Sequence, residues 1–166
     1  LVKYKTLRNG DRQLYILSKN AGRVLDGLSI TDAIKDGELE LKTVFSGQDR
    51  TSAETTIVLD DFKLVKGAKA VRVYAVLSPT GLFSLFEGEG TFFNKGEAII
   101  TSRKGVHDIT KLRATGASVG LGLVGTYDSN SKTVDVSGNL VPINILSDVI
   151  GLVPLVGEIL TGIDKS

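Results

Sequence analysis

The sequence predicts an α+β fold that is mainly β. The expected form is a curved antiparallel sheet, a meander or groove, with short helices that include a C-terminal pair of short apolar helices. Three observations predict it. Apolar and polar residues alternate with period two, most clearly in Glu38-Leu39-Glu40-Leu41-Lys42-Thr43, which marks a strand with one buried face. Between Gly90 and Val141, turn residues recur about every ten positions, the spacing of consecutive antiparallel strands. Gly120, Gly122 and Gly125 fall inside an aliphatic run. Glycine there marks a bend, a bulge or a close approach, and a strongly curved sheet needs such points.

The elements follow in order. Residues 1–19 read as a hairpin around Asn9-Gly10-Asp11, because Asn and Gly both tolerate positive φ. Residues 20–28 read as a short helix closed near Gly27, with Val24, Leu25 and Leu28 on one face. Gly37 opens the strand Glu38 to Phe45, with Leu39, Leu41 and Thr43 on one side. Glu54 to Val65 is the next strand, with Ile57, Leu59 and Asp61 expected on one face and Asp60-Asp61 marking a bend or bulge. Lys69 to Leu77 has helical spacing through Val71, Tyr74 and Ala75, and Thr80 to Phe86 reads as a second short helix after Pro79.

The meander comprises Thr91–Phe93, Glu97–Ser102, Asp108–Ala114, Ala117–Tyr127 and Thr133–Val141. Its expected breaks are Asn94-Lys95-Gly96, Lys104-Gly105, Thr115-Gly116 and Asp128-Ser129-Asn130-Ser131. Val119, Leu121 and Leu123 share one face, as do Val134, Val136 and Leu140. The tail reads as two short apolar helices, Ile143–Ile150 and Leu155–Leu160, parted at Pro154.

The length, 166 residues, suits a single domain, 1–166. The start at Leu1 suggests a piece of a longer chain. Twenty Lys and Arg against nineteen Asp and Glu leave +1, which gives no broad field for nucleic acid or an anionic membrane. Cysteine is absent, which excludes disulfides, Cys-based zinc sites, Fe–S clusters and thiol catalysis. With one histidine, His107, a multi-His metal site within this chain is excluded as well. Glycine is in excess at 19 residues while proline numbers three, so this is not a disordered Pro/Gly tract. The most apolar stretch, Leu140 to Ile163, is interrupted by Asp148 and Glu158. The uncharged part between the two acids, Val149 to Gly157, falls far short of the ~20 apolar residues a spanning helix needs.

No motif carries catalysis. His107 with Asp108 and Ser102 suggests a hydrolase base, but neighbours on a strand point to opposite faces, and a Gly-x-Ser-x-Gly elbow is missing. His107 therefore reads as a surface or loop histidine. Asp60-Asp61 lacks a third acidic ligand nearby and reads as a bend rather than a Ca²⁺ site. The glycine patterns fit neither a dinucleotide fingerprint nor a P-loop. Lys63, Lys66, Lys69 and Arg72 have acids beside them and read as a solvated face. The aliphatic alternation remains open between two readings: the lining of an apolar groove, or an ordinary sheet face under a helix.

The tail Gly138-Asn139-Leu140-Val141-Pro142-Ile143 through Val153-Pro154-Leu155-Val156-Gly157 to Leu160-Thr161-Gly162 resembles the C-terminal region of AsmA-like proteins. Gly138, Pro142, Pro154 and Gly157 are its motif positions. Ser18 to Leu28 with Gly37-Glu38-Leu39 is similar to that family's entry segment. Asp61-Phe62-x-Leu64, Gly88-Glu89-Gly90-x-Phe92 and Ala117-Ser118-Val119-Gly120-Leu121 extend the likeness over most of the chain. The resemblance implies a large bacterial envelope protein, anchored in the inner membrane with its bulk in the periplasm, that carries phospholipid along a β-groove toward the outer membrane. It brings no catalytic residues.

The expected function is therefore non-enzymatic, with no cofactor, no metal and no nucleic-acid partner. The domain would bind or conduct phospholipid on an apolar groove, supporting outer-membrane biogenesis. Candidate groove residues are Leu39, Leu41, Ile57, Leu59, Val119, Leu121, Leu123, Val134 and Val136. Membrane contact would come through parts of the full-length protein outside this piece. The alternative is a structural or assembly module acting through contacts with envelope proteins. A hydrolase using His107 is the third reading.

Overall fold

The structure is a computed structural model and describes residues 1–47, 51–65 and 90–143. Eight strands form one antiparallel sheet in sequence order, curved and not closed on itself. They are β1 (Val2–Thr6), β2 (Arg12–Ser18), β3 (Ile34–Ser46), β4 (Ser52–Leu64), β5 (Thr91–Arg103), β6 (Val106–Thr115), β7 (Val119–Asp128) and β8 (Thr133–Pro142). One short helix, α1 (Ala21–Gly27), joins β2 to β3. The mainly β meander is as the sequence predicts. The expected helices Lys69–Leu77 and Thr80–Phe86 lie outside the described residues. So does the C-terminal pair, apart from Ile143, together with Pro154 and Gly157.

The first hairpin forms where Asn-Gly predicts it. Gly10 has φ +88°, and its N–H donates to the Leu7 carbonyl at 3.0 Å. The Asn20 side chain caps α1 by accepting from the Arg23 N–H at 2.9 Å, which satisfies one of the orphan donors of the first turn. Leu25 and Ala21 are buried beneath the helix, whereas Leu28, expected on the same face, is 47% exposed. The helix ends before Leu28 can turn inward: Ser29 has φ +57°, and the Leu28 N–H already closes onto Val24.

Register makes the sheet two-faced. Partners across an antiparallel pair share a face. Leu39, Leu59, Gly96, Ala114, Leu121 and Leu140 thus form one row across β3 to β8. Ile16, Leu41, Ile57, Ala98, Leu112 and Leu123 form the next, across β2 to β7. A third row runs through Leu14, Thr43, Thr55, Ile100, Ile109 and Val136. Thr43 is buried among aliphatics, and its hydroxyl pairs with that of Thr55 at 3.0 Å. The opposite face carries Glu38, Asp60 and Lys95, then Glu40, Glu97 and Arg113. Ion pairs Lys19–Glu38, Lys95–Asp60 and Lys111–Glu97 lie there. These are exposed or half-exposed and add little stability.

Two expectations are corrected at one place. Asn94-Lys95-Gly96 is not a break: Thr91 to Arg103 is one continuous strand of 13 residues. Asp61 does not share the face of Ile57 and Leu59. It takes φ +51° and is exposed, and Phe62 turns inward in its stead. The cause is a phase shift that crosses three strands. Asp36 and Gly37 in β3 and Asp61 in β4 have positive φ, and Asn94-Lys95 in β5 are both exposed. Phe62 and Phe93 both emerge on the buried face beyond the shift and stack, with centroids 5.5 Å apart. Gly96 is needed beside them, because a Cβ there would meet the Phe62 ring at 2.8 Å. β3 likewise starts at Ile34 rather than Gly37, since the strand runs through the shift.

Phe93 is 1% exposed and its neighbour Phe92 is 45% exposed. Phe93→Ala is expected to cost about 3–5 kcal/mol in urea unfolding, and Phe92→Ala less than about 1 kcal/mol. Equal losses would show that the two rings do not divide between the faces as described.

Candidate functional site

The apolar face is the one extended surface that the sequence singles out, and the strands place all nine predicted groove residues on it. Leu39, Leu59 and Leu121 share the first row; Leu41, Ile57 and Leu123 share the second; Val136 is in the third. Val119 lies two residues beyond Leu121 on the same face, and Val134 two residues before Val136. Burial divides them. Leu39, Leu41, Ile57, Leu59, Val119 and Leu123 are between 2 and 8% exposed. Leu121, Val134 and Val136 are half-buried.

The buried members belong to a core that includes Ile16, Leu25, Phe62 and Phe93. Helix α1 packs against β3 at one end of it. Toward β8 the same rows continue in side chains that keep part of their surface: Ile100, Ile109, Leu121, Val136 and Leu140. The core thus extends into β5–β7, where Phe93, Ala114, Val119 and Leu123 are buried, and the half-buried aliphatics on β5–β8 lie among and beside these residues.

A fourth row borders this surface and differs in chemistry. Phe45, Ala53, Ser102, His107, Tyr127 and Val134 align across β3 to β8. His107 lies within β6 rather than in a loop and is half-buried. Its ring stacks on Tyr127, with centroids 5.7 Å apart, and its Nδ1 is 2.9 Å from Ser102 Oγ. Sequence reasoning grouped Ser102 with His107, and cross-strand register explains why they meet. Asp108 does point away. It sits on the other face, where it accepts a hydrogen bond from Thr126 Oγ1 at 2.8 Å. The Ser102–His107 pair thus has the contact of a nucleophile and base, but its nearest acid in sequence cannot orient the ring.

Beyond that row lie two turns tied to one another. The Ser129 N–H and hydroxyl both donate to the Gly105 carbonyl at 2.8 Å, and Asn130 Nδ2 donates to the Lys104 carbonyl at 2.9 Å. Asp128 Oδ1 accepts from the Asn130 N–H at 2.8 Å. That backbone hydrogen bond first, and the Ser131 hydroxyl next, hold the Asp128 carboxyl below its ordinary value of 3.8. No sequence signal announced this clamp, because its two halves are 26 residues apart.

Glycine acts here by close approach. A Cβ on Gly125 would run into the Val136 side chain at 2.8 Å as well as the β8 backbone. Gly125 therefore lets β8 lie close against β7 where the third row reaches Val136. Two depressions lie on the polar face instead. One, of about 430 Å³, opens where Gly122 lacks a side chain beside Arg113 and Asn139; the other, of about 530 Å³, is bordered by Leu17, Lys19, Glu38 and Asp60. Among the described residues no three His, Asp or Glu side chains gather as a metal site, and no helix is long and apolar enough to cross a membrane.

The Asp128 clamp has a pH signature. A carboxyl held below its ordinary value contributes stability that is present above 3.8 and lost as pH falls through the lowered folded value. The melting temperature of the native chain should exceed that of Asp128→Asn at neutral pH, and the gap should close in acid. A gap independent of pH would show that Asp128 is not the titrating acceptor of the turn.

Compared with protein-family models, curated proteins and solved structures, the chain matches none of them.

Proposed function

We propose that the domain is a non-enzymatic lipid-handling module of the bacterial envelope, which holds or conducts phospholipid acyl chains on the apolar face of its curved sheet. The observation that carries the reading is the set of half-buried aliphatic side chains Ile100, Ile109, Leu121, Val136 and Leu140 on β5–β8, continuous in register with the packed core. An acyl chain laid on it leaves water, at roughly 0.8 kcal/mol per buried CH₂. The sheet is not closed, so a chain can enter from the side without the fold opening. The resemblance to AsmA-like proteins supports the same chemistry and adds the periplasm and an inner-membrane anchor elsewhere in the full-length protein.

One observation favours a second reading, a scaffold that works through protein contacts. Six of the nine groove candidates are already buried, as expected of an ordinary core. The two readings differ in what touches Leu121 and Val136.

A photo-crosslinking residue at Leu121 or Val136 is expected to capture phospholipid in cells. The same residue at Val58 or Thr126, on the polar face, is expected to capture none. Labelling of protein alone at Leu121 and Val136, or equal lipid labelling on both faces, would remove the lipid reading.

A further inference from the structure

The sheet is not closed, so β1 and β8 are its edges, and among the described residues no further strand pairs with either. An edge leaves backbone N–H and C=O groups unpaired, and natural sheets guard it with charge, proline, a bulge or short length. β1 is guarded: it has five residues and carries Lys3 and Lys5. β8 is not. It runs for ten residues in unbroken register with β7, with Asp135 as its one charge and Pro142 only at its end.

Hydrogen bonds at the strand ends fix which backbone groups face outward. The Leu17 N–H donates to the Leu1 carbonyl at 2.9 Å, and the Leu7 N–H to the Asp11 carbonyl at 2.7 Å. Bonded and non-bonded pairs alternate along an antiparallel ladder. Lys3 and Lys5 therefore bond to β2, while Val2, Tyr4 and Thr6 turn their backbone groups outward. At β8 the Ile143 N–H donates to the Ser118 carbonyl at 3.0 Å. The same alternation turns Val134, Val136, Gly138 and Leu140 outward. Both outward sets lie on the apolar face, since Val2 and Tyr4 stand opposite Ile16 and Leu14, and Val136 ends the third row.

The two edges fit each other. Eight alternating strands leave β1 and β8 running in opposite directions, so a second copy in the same orientation offers β8 an antiparallel β1. Laying the whole of β1 along β8 sets Val2 opposite Gly138, Tyr4 opposite Val136 and Thr6 opposite Val134. The facing backbone groups then pair in about six new hydrogen bonds. In this register the second, third and fourth rows run on from copy to copy, because Gly138 pairs with Leu123, Val136 with Gly125 and Val134 with Tyr127. On the charged face Lys5 comes opposite Asp135. Val2 and Tyr4, 66% and 57% exposed, gain neighbours on the apolar side. Two copies joined through β1 alone would set Lys3 against Lys5, which is unfavourable. Two joined through β8 alone would leave Val2 and Tyr4 uncovered.

We infer that a second copy of this chain docks head to tail, β1 of one against β8 of the other, so that the apolar face continues across both. The contact is heterologous and leaves one edge free at each end, so further copies can follow. The inference rests on the edges and stands whether or not the face binds lipid.

The test is sedimentation velocity on the whole chain. The native protein is expected to pass from monomer to dimer and larger species as its concentration is raised to about 1 mM. Tyr4→Pro and Val136→Pro each remove an outward N–H without removing a bond to the neighbouring strand, which an edge strand tolerates. Each variant alone should stay monomeric, and their equimolar mixture should form a dimer and nothing larger. A native chain that stays monomeric, a mixture that does not dimerise, or a Tyr4→Pro variant that dimerises alone would overturn the inference. Circular dichroism checks that each variant folds. Should either proline variant not fold, charge decides: Asp135→Lys should weaken association of the chain about threefold, and Lys5→Asp added to it should restore it. Association unchanged by the first substitution, or not restored by the second, would overturn the inference equally.

Discussion

Everything in this sheet depends on phase. Side chains alternate with period two, so a slip of one residue in any strand would send its aliphatic set to the charged face. The register is kept in step across eight strands, and where a strand falls out of step it is corrected locally. Asp36, Gly37 and Asp61 take positive φ, and Asn94-Lys95 put two exposed residues in succession, so that Phe62 and Phe93 return to the buried side. A second correction lies between Ile109 and Leu112 in β6, where the pairing shifts with Thr110 exposed. Its hydroxyl donates to the Ile99 carbonyl at 3.2 Å, so the local loss of ladder bonding is partly made good. Without the first correction the apolar face would stop short of Phe62 and Phe93 along β4 and β5, and without the second Ile109 and His107 would turn to the charged face.

The same principle explains what the sequence discloses. Local patterns disclose local facts: Asn9-Gly10 gives the first hairpin, Lys104-Gly105 the turn between β5 and β6, and the alternation from Glu38 to Thr43 the two faces of β3. Non-local facts stay hidden. Asn94-Lys95-Gly96 has the composition of a turn. Only the pairing with β4 shows that Lys95 must reach Asp60 and that Gly96 must lie beside the Phe62 ring. Asp61 looks like the next residue of an alternating strand, because a phase shift cannot be read until the partner strand is known. The site is legible to the same degree. All nine aliphatic candidates lie on one face, since period two fixes that. Which of them are buried depends on curvature and on α1, and neither is written in any single strand.

Net charge gives a similar lesson. A formal charge of +1 argues against a broad field, and that holds for the molecule as a whole. Position does not change that. The end where α1 sits mixes Arg23, Lys35 and Lys95 with Asp26, Asp36 and Asp60, and Lys95 pairs with Asp60 directly. Charges of opposite sign so placed offset one another over distances near the Debye length of ~8 Å.

The degree of burial bears on how tightly a lipid would be held. A fully enclosed cavity removes nearly all of an acyl chain from water and releases it slowly. A half-exposed face recovers only part of the ~0.8 kcal/mol available per CH₂. The packed side of the sheet, with Leu39 and Leu41 at 2% exposure, holds its shape without help from a ligand, so binding need not order the fold. In the proposed lipid reading the half-buried aliphatics would then offer a surface of modest affinity, which would suit passage along a face better than storage in it. The Ser102–His107 pair fits the same picture. It satisfies two polar groups at the border of the aliphatic rows, where an unpaired hydroxyl or imidazole would be costly. Its place there makes the change from polar edge to apolar surface abrupt, and in the proposed lipid reading that border would set where a headgroup stops and a chain begins.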